Sequence, residues 1–320
     1  MATIQQTATP AGGAARRRRW SRQERSEAIF ALWLVLPAML TIGAIAFLPL
    51  GRAIWLSLWK YNLRFANTPR TWEGLGNYQR ILEDERFHNA LKVTATVAGV
   101  SIAVELVLGM IVALVINRWF PGRGLVRASV LIPWALTTVV AAKMWQLIYQ
   151  TEYGVFNRIL NDLGIIDSYR PWIASPDFAL WAMIGADIWK TTPFVALLLL
   201  AGLQLIPSEL HEASKIDGAT AWQSFWRITV PLLRPTILVA LLFRTIDAAR
   251  MFDLPFVLTG GGPGFETETL TLYTYRTLFT NLSFGMGSAL AVTAFLIVLA
   301  VSFVFIKILG APAGGGGGAR

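Results

Sequence analysis

The sequence predicts an all-α, polytopic membrane protein with about six transmembrane helices. Residues 28–50 and 281–306 contain no Asp, Glu, Lys or Arg, and each run exceeds the roughly 20 residues that a helix needs to cross a bilayer core. Across the chain 55% of residues are hydrophobic and 15% charged, against about a quarter charged in ordinary soluble proteins. The charges are also clustered, which leaves long apolar stretches between them.

Residues 1–15 are rich in Ala, Thr, Gln and Gly and read as disordered. With the basic segment Arg16–Arg19, Arg22 and Arg25 they form a basic cytoplasmic tail over 1–27. The apolar run after it is too long for a signal peptide and no small-residue cleavage site follows, so it reads as an uncleaved first helix over about 28–50, with a continuation to Trp59 left open by the sequence. Pro37 and Pro49 are tolerated in membrane helices. A polar stretch, 60–90, carries the turn-like Asn67-Thr68-Pro69 and a short helix near Tyr78 to Leu82. The second span covers about 91–116, with Glu105 in its middle, and a basic loop with Arg118, Arg123 and Arg127 follows. The third covers about 125–149. In the loop after it, Val155, Phe156, Ile159, Leu160 and Leu163 have the spacing of an interfacial helix.

The fourth span, about 178–205, carries Asp187, Lys190, Thr191 and Thr192, and the fifth, about 232–258, carries Arg244, Asp247, Arg250 and Asp253. A Gly-rich loop, 259–264, and an amphipathic stretch lead to the sixth span, about 285–309, and residues 311–320 read as a Gly-rich disordered tail. Arg and Lys concentrate in the N-terminal tail, at 118–127, at 215–234 and at Lys307, which places both termini in the cytoplasm. The basic residues of 60–90 run against that orientation, but the first signal usually dominates.

Several classes are excluded or disfavoured. The chain has no cysteine and only His88 and His211, so thiolate chemistry is absent and a histidine metal site is not expected; no cofactor is expected. The net charge of +9 reads as topological rather than as nucleic-acid binding. The loop Thr259-Gly-Gly-Gly-Pro-Gly264 is followed by Phe265 and Glu266, whereas a nucleotide P-loop ends in Gly-Lys-Ser/Thr; it reads as a tight external turn.

The four middle spans carry ionisable groups that would cost a few kcal/mol each against lipid. They should face one another, a partner subunit or a water-filled path. Arg244, Asp247, Arg250 and Asp253 recur every three residues, a spacing at which side chains pair along a helix. They read either as structural ion pairs or, with Asp187, Lys190 and Thr191, as the rim of a substrate path. Trp145, Gln146, Tyr149 and Trp189 read as interfacial residues or as stacking faces for a sugar.

Residues 207–235 carry the most information. Pro207 and Ser208 suit a helix start, with Glu209 and Glu212 in its first turns. Gly218 suits a helix end. A second short helix follows with Trp222, Phe225, Trp226 and Thr229 as its apolar stripe, closed by Pro231. On pattern alone this is equally an amphipathic loop lying on the membrane.

Glu212-Ala213-Ser214, then Gly218, Ile228 and Pro231, resembles the signature loop of permease subunits of bacterial ATP-binding-cassette importers. Ser214 stands where the family has a second alanine, and Val230 where it more often has leucine. GRGLVR at 122–127, IPW at 132–134, GVFNRIL at 154–160, IWKTTPF at 188–194, FDLPFVLTGGGPGFETETL at 252–270 and FGMGSAL at 284–290 are similar to the carbohydrate branch, in particular to trehalose and maltose permeases.

The resemblance implies a type I importer permease fold over 28–309. It also implies that 207–231 is a cytoplasmic coupling loop that docks on the ATPase, with Glu212, Ala213, Ser214, Asp217, Gly218, Ile228 and Pro231 as its signature residues. The implied partners are a second permease, ATPase subunits on separate polypeptides, an external sugar-binding protein, a sugar such as trehalose or maltose, and the lipid of a bacterial cytoplasmic membrane. A proton-coupled secondary transporter using Glu105, Asp187 or Asp247 is the alternative, but the internal repeats common in that class are not evident. A membrane enzyme would need a convergent acid/base or metal site, and none is evident.

Overall fold

The computed structural model describes residues 22–65 and 69–310. The expectations for residues 1–21, for Asn67 and Thr68, and for 311–320 lie outside the described residues. The chain forms two compact units, one ending at Arg52 and one running from Ala53. Helix α1, Arg22–Ser57, contains Pro37 and Pro49 and starts earlier than the predicted boundary at residue 28. Gln23 donates to Glu27 one turn on, at 3.4 Å, an i,i+4 pair that supports helix in the polar segment.

In the second unit, β1, Trp59–Lys60, pairs antiparallel with β2, Thr71–Trp72. Helices α2, Gly76–Glu83, and α3, Glu85–Asn117, follow. Asp84 caps α3 by accepting from the Arg86 amide at 3.0 Å. The predicted third span is not one helix. Helices α4, Arg123–Ala135, and α5, Thr138–Ile148, meet at 92°. Pro133 withdraws a backbone donor just before the bend. Leu136 and Thr137 are extended, and Thr137, Thr138, Val139 and Val140 form a β-branched run, which weakens helical continuity. Helix α6, Val155–Asp162, is the predicted amphipathic segment, with Val155, Ile159 and Leu163 exposed.

Helix α7, Pro176–Gln204, is the central element: 56% of its apolar window is buried, against 17% for the last helix. Helices α8, Ser208–Ile216, and α9, Ala221–Ser224, form the predicted short pair. Pro231 does not close the second of these. Helix α9 runs through a π turn, Phe225–Thr229, directly into α10, Val230–Ala249. A proline has no N–H and crowds the carbonyl four residues back, and the wider π turn opens that spacing.

The predicted fifth span also ends early. Helix α10 stops at Ala249, Arg250 leaves helical geometry, and α11, Asp253–Leu258, is separate. Helix α12, Leu270–Tyr275, continues into a second π turn, Arg276–Thr280, before α13, Phe284–Gly310. Among the described residues five helices are long and apolar enough to cross a membrane, and six spans result if the bent α4–α5 pair is counted as one.

The core lies where α3, α7 and α10 meet. Ala113, Ile116, Leu199, Leu203 and Leu233 fill one end and Val97, Met183, Ala186 and Leu254 the other. A Cβ at Gly202 would lie 2.5 Å from Thr236 Oγ1 and 2.8 Å from Leu233. Absence of a side chain at Gly202 is what lets α10 approach α7, the close-packing device expected where lipid provides no hydrophobic drive.

Candidate functional site

Arg244 projects from α10 into the α3–α7–α10 junction and is 1% exposed. It donates to Glu105 of α3 through Nε at 2.5 Å and Nη2 at 2.9 Å, and through Nη2 to Asp187 of α7 at 2.9 Å. Its Nη1 donates to Asp247 at 2.9 Å, one turn along α10. Thr191 donates to Glu105 at 2.5 Å. Glu105 and Asp187 are buried, at 0% and 4%. Within a bilayer such charges persist only when paired and hydrogen-bonded, and here every ionised partner has at least one charge-assisted bond.

Above this network a cavity of about 290 Å³ is lined by Asp187, Lys190, Thr191, Asp247, Arg250 and Asp253, together with Thr138 and residues 251, 252 and 254. Its size is near the lower end for ligand pockets. Six of the seven residues predicted for a substrate path thus share one cavity. The seventh, Arg244, lies behind its wall. The spacing-based ion ladder is partly present: Arg244–Asp247 at 2.9 Å continues to Arg250 at 3.7 Å. It stops there, because α10 ends before Asp253, which makes no ion pair among the described residues. Trp145 packs on Tyr149 and Trp189 at ring separations of 5.0 and 5.7 Å, and Tyr149 is buried.

The helix pair α8–α9 begins where α7 ends and leads into α10. Its corner is a Schellman closure. The Ala219 amide donates to the Ser214 carbonyl at 2.9 Å and the Gly218 amide to Lys215 at 3.1 Å, with Gly218 at φ +77°. Thr220 and Gln223 make a reciprocal capping box at the start of α9. Ser214, the departure from the signature, is buried, and its hydroxyl donates to the His211 carbonyl at 2.9 Å and to Ser224 Oγ at 3.2 Å. It ties the two short helices together, which an alanine does not do. Glu212, Ala213, Asp217 and Gly218 are exposed, as are Ile216 and Trp222, while Ile228 and Pro231 are half-buried in and just after the π turn. Cavity and helix pair lie toward opposite ends of α10, roughly 25 Å apart along its axis.

One buried cluster had no counterpart in the sequence reading. Glu268, fully buried, accepts from Arg86 at 2.6 and 2.8 Å and from Arg276 at 2.7 Å. Arg276 also donates to the Gly260 carbonyl. The Gly-rich segment is thereby pinned to the start of α3. Tyr273 donates to Asp84 nearby, and burial together with that carboxylate raises the phenol pKa above its ordinary value. The available signal was the pair of acidic residues, Glu266 and Glu268, directly after the glycines. Among the described residues no cluster could hold a metal ion.

The family model described as "Binding-protein-dependent transport system inner membrane component" matches residues 105–310, more than half of the chain. The chain belongs to this family. The permease is 42% identical over 289 residues to the trehalose/maltose transport system permease protein MalF of Thermococcus litoralis, covering 90% of this chain and 96% of that one. It is 41% identical over 292 residues to the trehalose transport system permease protein SugA of Mycobacterium tuberculosis, covering 91% and 92%. The fold matches the crystal structure of a bacterial ABC transporter involved in the import of the acidic polysaccharide alginate, with TM-score 0.74 at 23% identity, covering 91% of this chain and 97% of that one. As a member of this family the permease is a multi-pass membrane component and not an enzyme; ATP hydrolysis belongs to a separate subunit.

Proposed function

We propose that the permease forms, with a second homologous permease, the membrane path of an ATP-driven importer for a neutral disaccharide of the trehalose or maltose type, delivered by an external binding protein. The α8–α9 pair docks on the ATPase, the cavity above Arg244 passes the sugar, and both termini lie in the cytoplasm. The observation that carries this reading is the shared mounting of the two sites. Helix α10 leaves the docking pair at one end and lines the cavity near the other, and α7 lines the cavity at its middle and ends at the pair, so displacement of the pair acts on the cavity walls. The names of the two relatives support the sugar class.

The direct test is uptake of labelled trehalose and maltose by the reconstituted complex with its binding protein and ATP. Transport of neither sugar, with ATP hydrolysis intact, would remove the substrate assignment. Asp247→Asn probes the cavity within the same assay. The Asp247 side chain is 57% exposed and keeps shape and much of its hydrogen bonding as asparagine. Uptake per assembled complex is expected to fall about tenfold, the effect of 1.4 kcal/mol of lost interaction, with assembly and stimulation by the binding protein retained. Normal uptake at normal yield would take Asp247 out of the path.

Orientation has its own test, because the chain has no native cysteine. Thr267 is buried and unsuitable for labelling, whereas Glu266 and Lys215 are exposed. In intact cells an impermeant thiol reagent is expected to label Glu266→Cys and not Lys215→Cys. Labelling of Lys215→Cys alone would invert the topology.

A further inference from the structure

We infer that the corner between α3 and α4 is a binding site for the headgroup of an anionic phospholipid. A cavity of about 400 Å³ at the end of α3 is lined by Leu114, Val115, Arg118, Trp119 and Phe120. It is far from the polar cavity in composition: apolar on its α3 side and capped by one cation. Arg123 opens α4, and Arg127 folds back over the corner, its Nη2 donating to the Ile116 carbonyl at 2.9 Å. Its Nε is buried without a partner.

Three arginines, Arg118, Arg123 and Arg127, thus lie within ten residues of chain, the first lining the cavity and the last folded over its corner, and none makes an ion pair among the described residues. No carboxylate occurs in the sequence between Glu105 and Glu152, so the chain itself supplies no neighbouring counter-charge along this whole stretch. An unneutralised guanidinium cluster at a membrane surface attracts anionic lipid, and basic pockets beside membrane helices are its usual seat. The remaining features fit a lipid rather than a free anion. Leu114 and Val115 offer an apolar wall for an acyl chain, and Trp119, 80% exposed, is of the type that sits at headgroup depth. Arg118 reaches the phosphate as a fork of donors, and Arg127, held over the corner by its bond to the Ile116 carbonyl, adds its charge there. The site depends on the corner lying at a membrane surface, not on which surface, and is independent of the sugar assignment.

The test is lipid retention by the purified complex. Complex is exchanged into nanodiscs of phosphatidylcholine containing on the order of a quarter phosphatidylglycerol, re-extracted in mild detergent, and its bound lipid counted by native mass spectrometry. Wild type is expected to retain phosphatidylglycerol selectively. Arg118→Gln and Arg127→Gln should each lower retention about fivefold, and Arg118→Lys, which keeps the charge but not the fork, should recover part of it. Leu114→Asp, which leaves every arginine in place, should lower retention as well. Equal retention of phosphatidylcholine, or undiminished phosphatidylglycerol on the glutamine variants, would overturn the site. So would variants that keep the lipid and lose the ATPase subunit, since the arginines would then serve a protein surface. If a glutamine variant fails to assemble, the Arg118→Lys and Leu114→Asp comparison still decides.

Discussion

Replacing Arg244 by methionine is expected to destabilise the permease by about 3–5 kcal/mol, the cost of leaving a buried ion pair without one partner. Glu105 and Asp187 would then face each other across the α3–α7 contact with no cation between them. Heat-induced loss of the monodisperse purified complex should shift down sharply, and yield should fall. The loss should be conditional on the carboxylates. Glu105→Gln with Arg244→Met should recover part of it, and adding Asp187→Asn most of it, because removing all of a buried charged set is often close to neutral. A single Arg244→Met variant as stable as wild type would mean that water reaches the network and that it does not hold the three helices together.

The second large effect is expected at Gly218, on function rather than on yield. Nothing lies within 4 Å of a Cβ built there, and φ is +77°, so a side chain meets no obstruction and the cost is one of backbone conformation alone. A left-handed L-residue costs roughly 1–2 kcal/mol, more when β-branched, so Gly218→Val should reduce the population of the closed α8–α9 corner by about 5–30-fold. Stimulation of ATP hydrolysis by the loaded binding protein should fall accordingly in the reconstituted complex. Gly218→Asn, which tolerates this region, should keep most of it. Equal stimulation of valine and asparagine variants would disconnect the corner from coupling.

The long spans were legible because an apolar helix in lipid is set by composition over twenty residues, a signal that survives local detail. Where that signal met a proline the reading failed in both directions. Pro133 precedes a true break, whereas Pro231, expected to end a helix, lies inside a continuous one. The neighbouring residues make the difference: a β-branched run at 137–140 adjoins the first, and a π turn able to absorb the missing donor adjoins the second. The residues that share the cavity were singled out by their polarity within apolar spans, which drives them to a common interior. Their pairing was legible only within α10, where spacing reports neighbours. That Arg244 reaches Glu105, 139 positions away, reflects how α3 crosses α10, and no local pattern encodes a crossing. The Glu268 cluster was missed for the same reason, as its partner Arg86 lies 182 positions off.

The π turn at Phe225–Thr229 has a consequence for the phase of α10. Such a turn carries one residue more than the α-helical turn it replaces, and one residue is about 100° of rotation. Had the helix stayed α from Ala221 onward with that extra residue retained, Arg244 would swing about a quarter-circle away from Glu105 and Asp187. The wide turn thus works as a phase adjuster between two surfaces with separate demands: the α8–α9 corner can present one set of residues outward while α10 aims Arg244 inward. Chain length within this span is consequently constrained at a point four helical turns from the charge it aims.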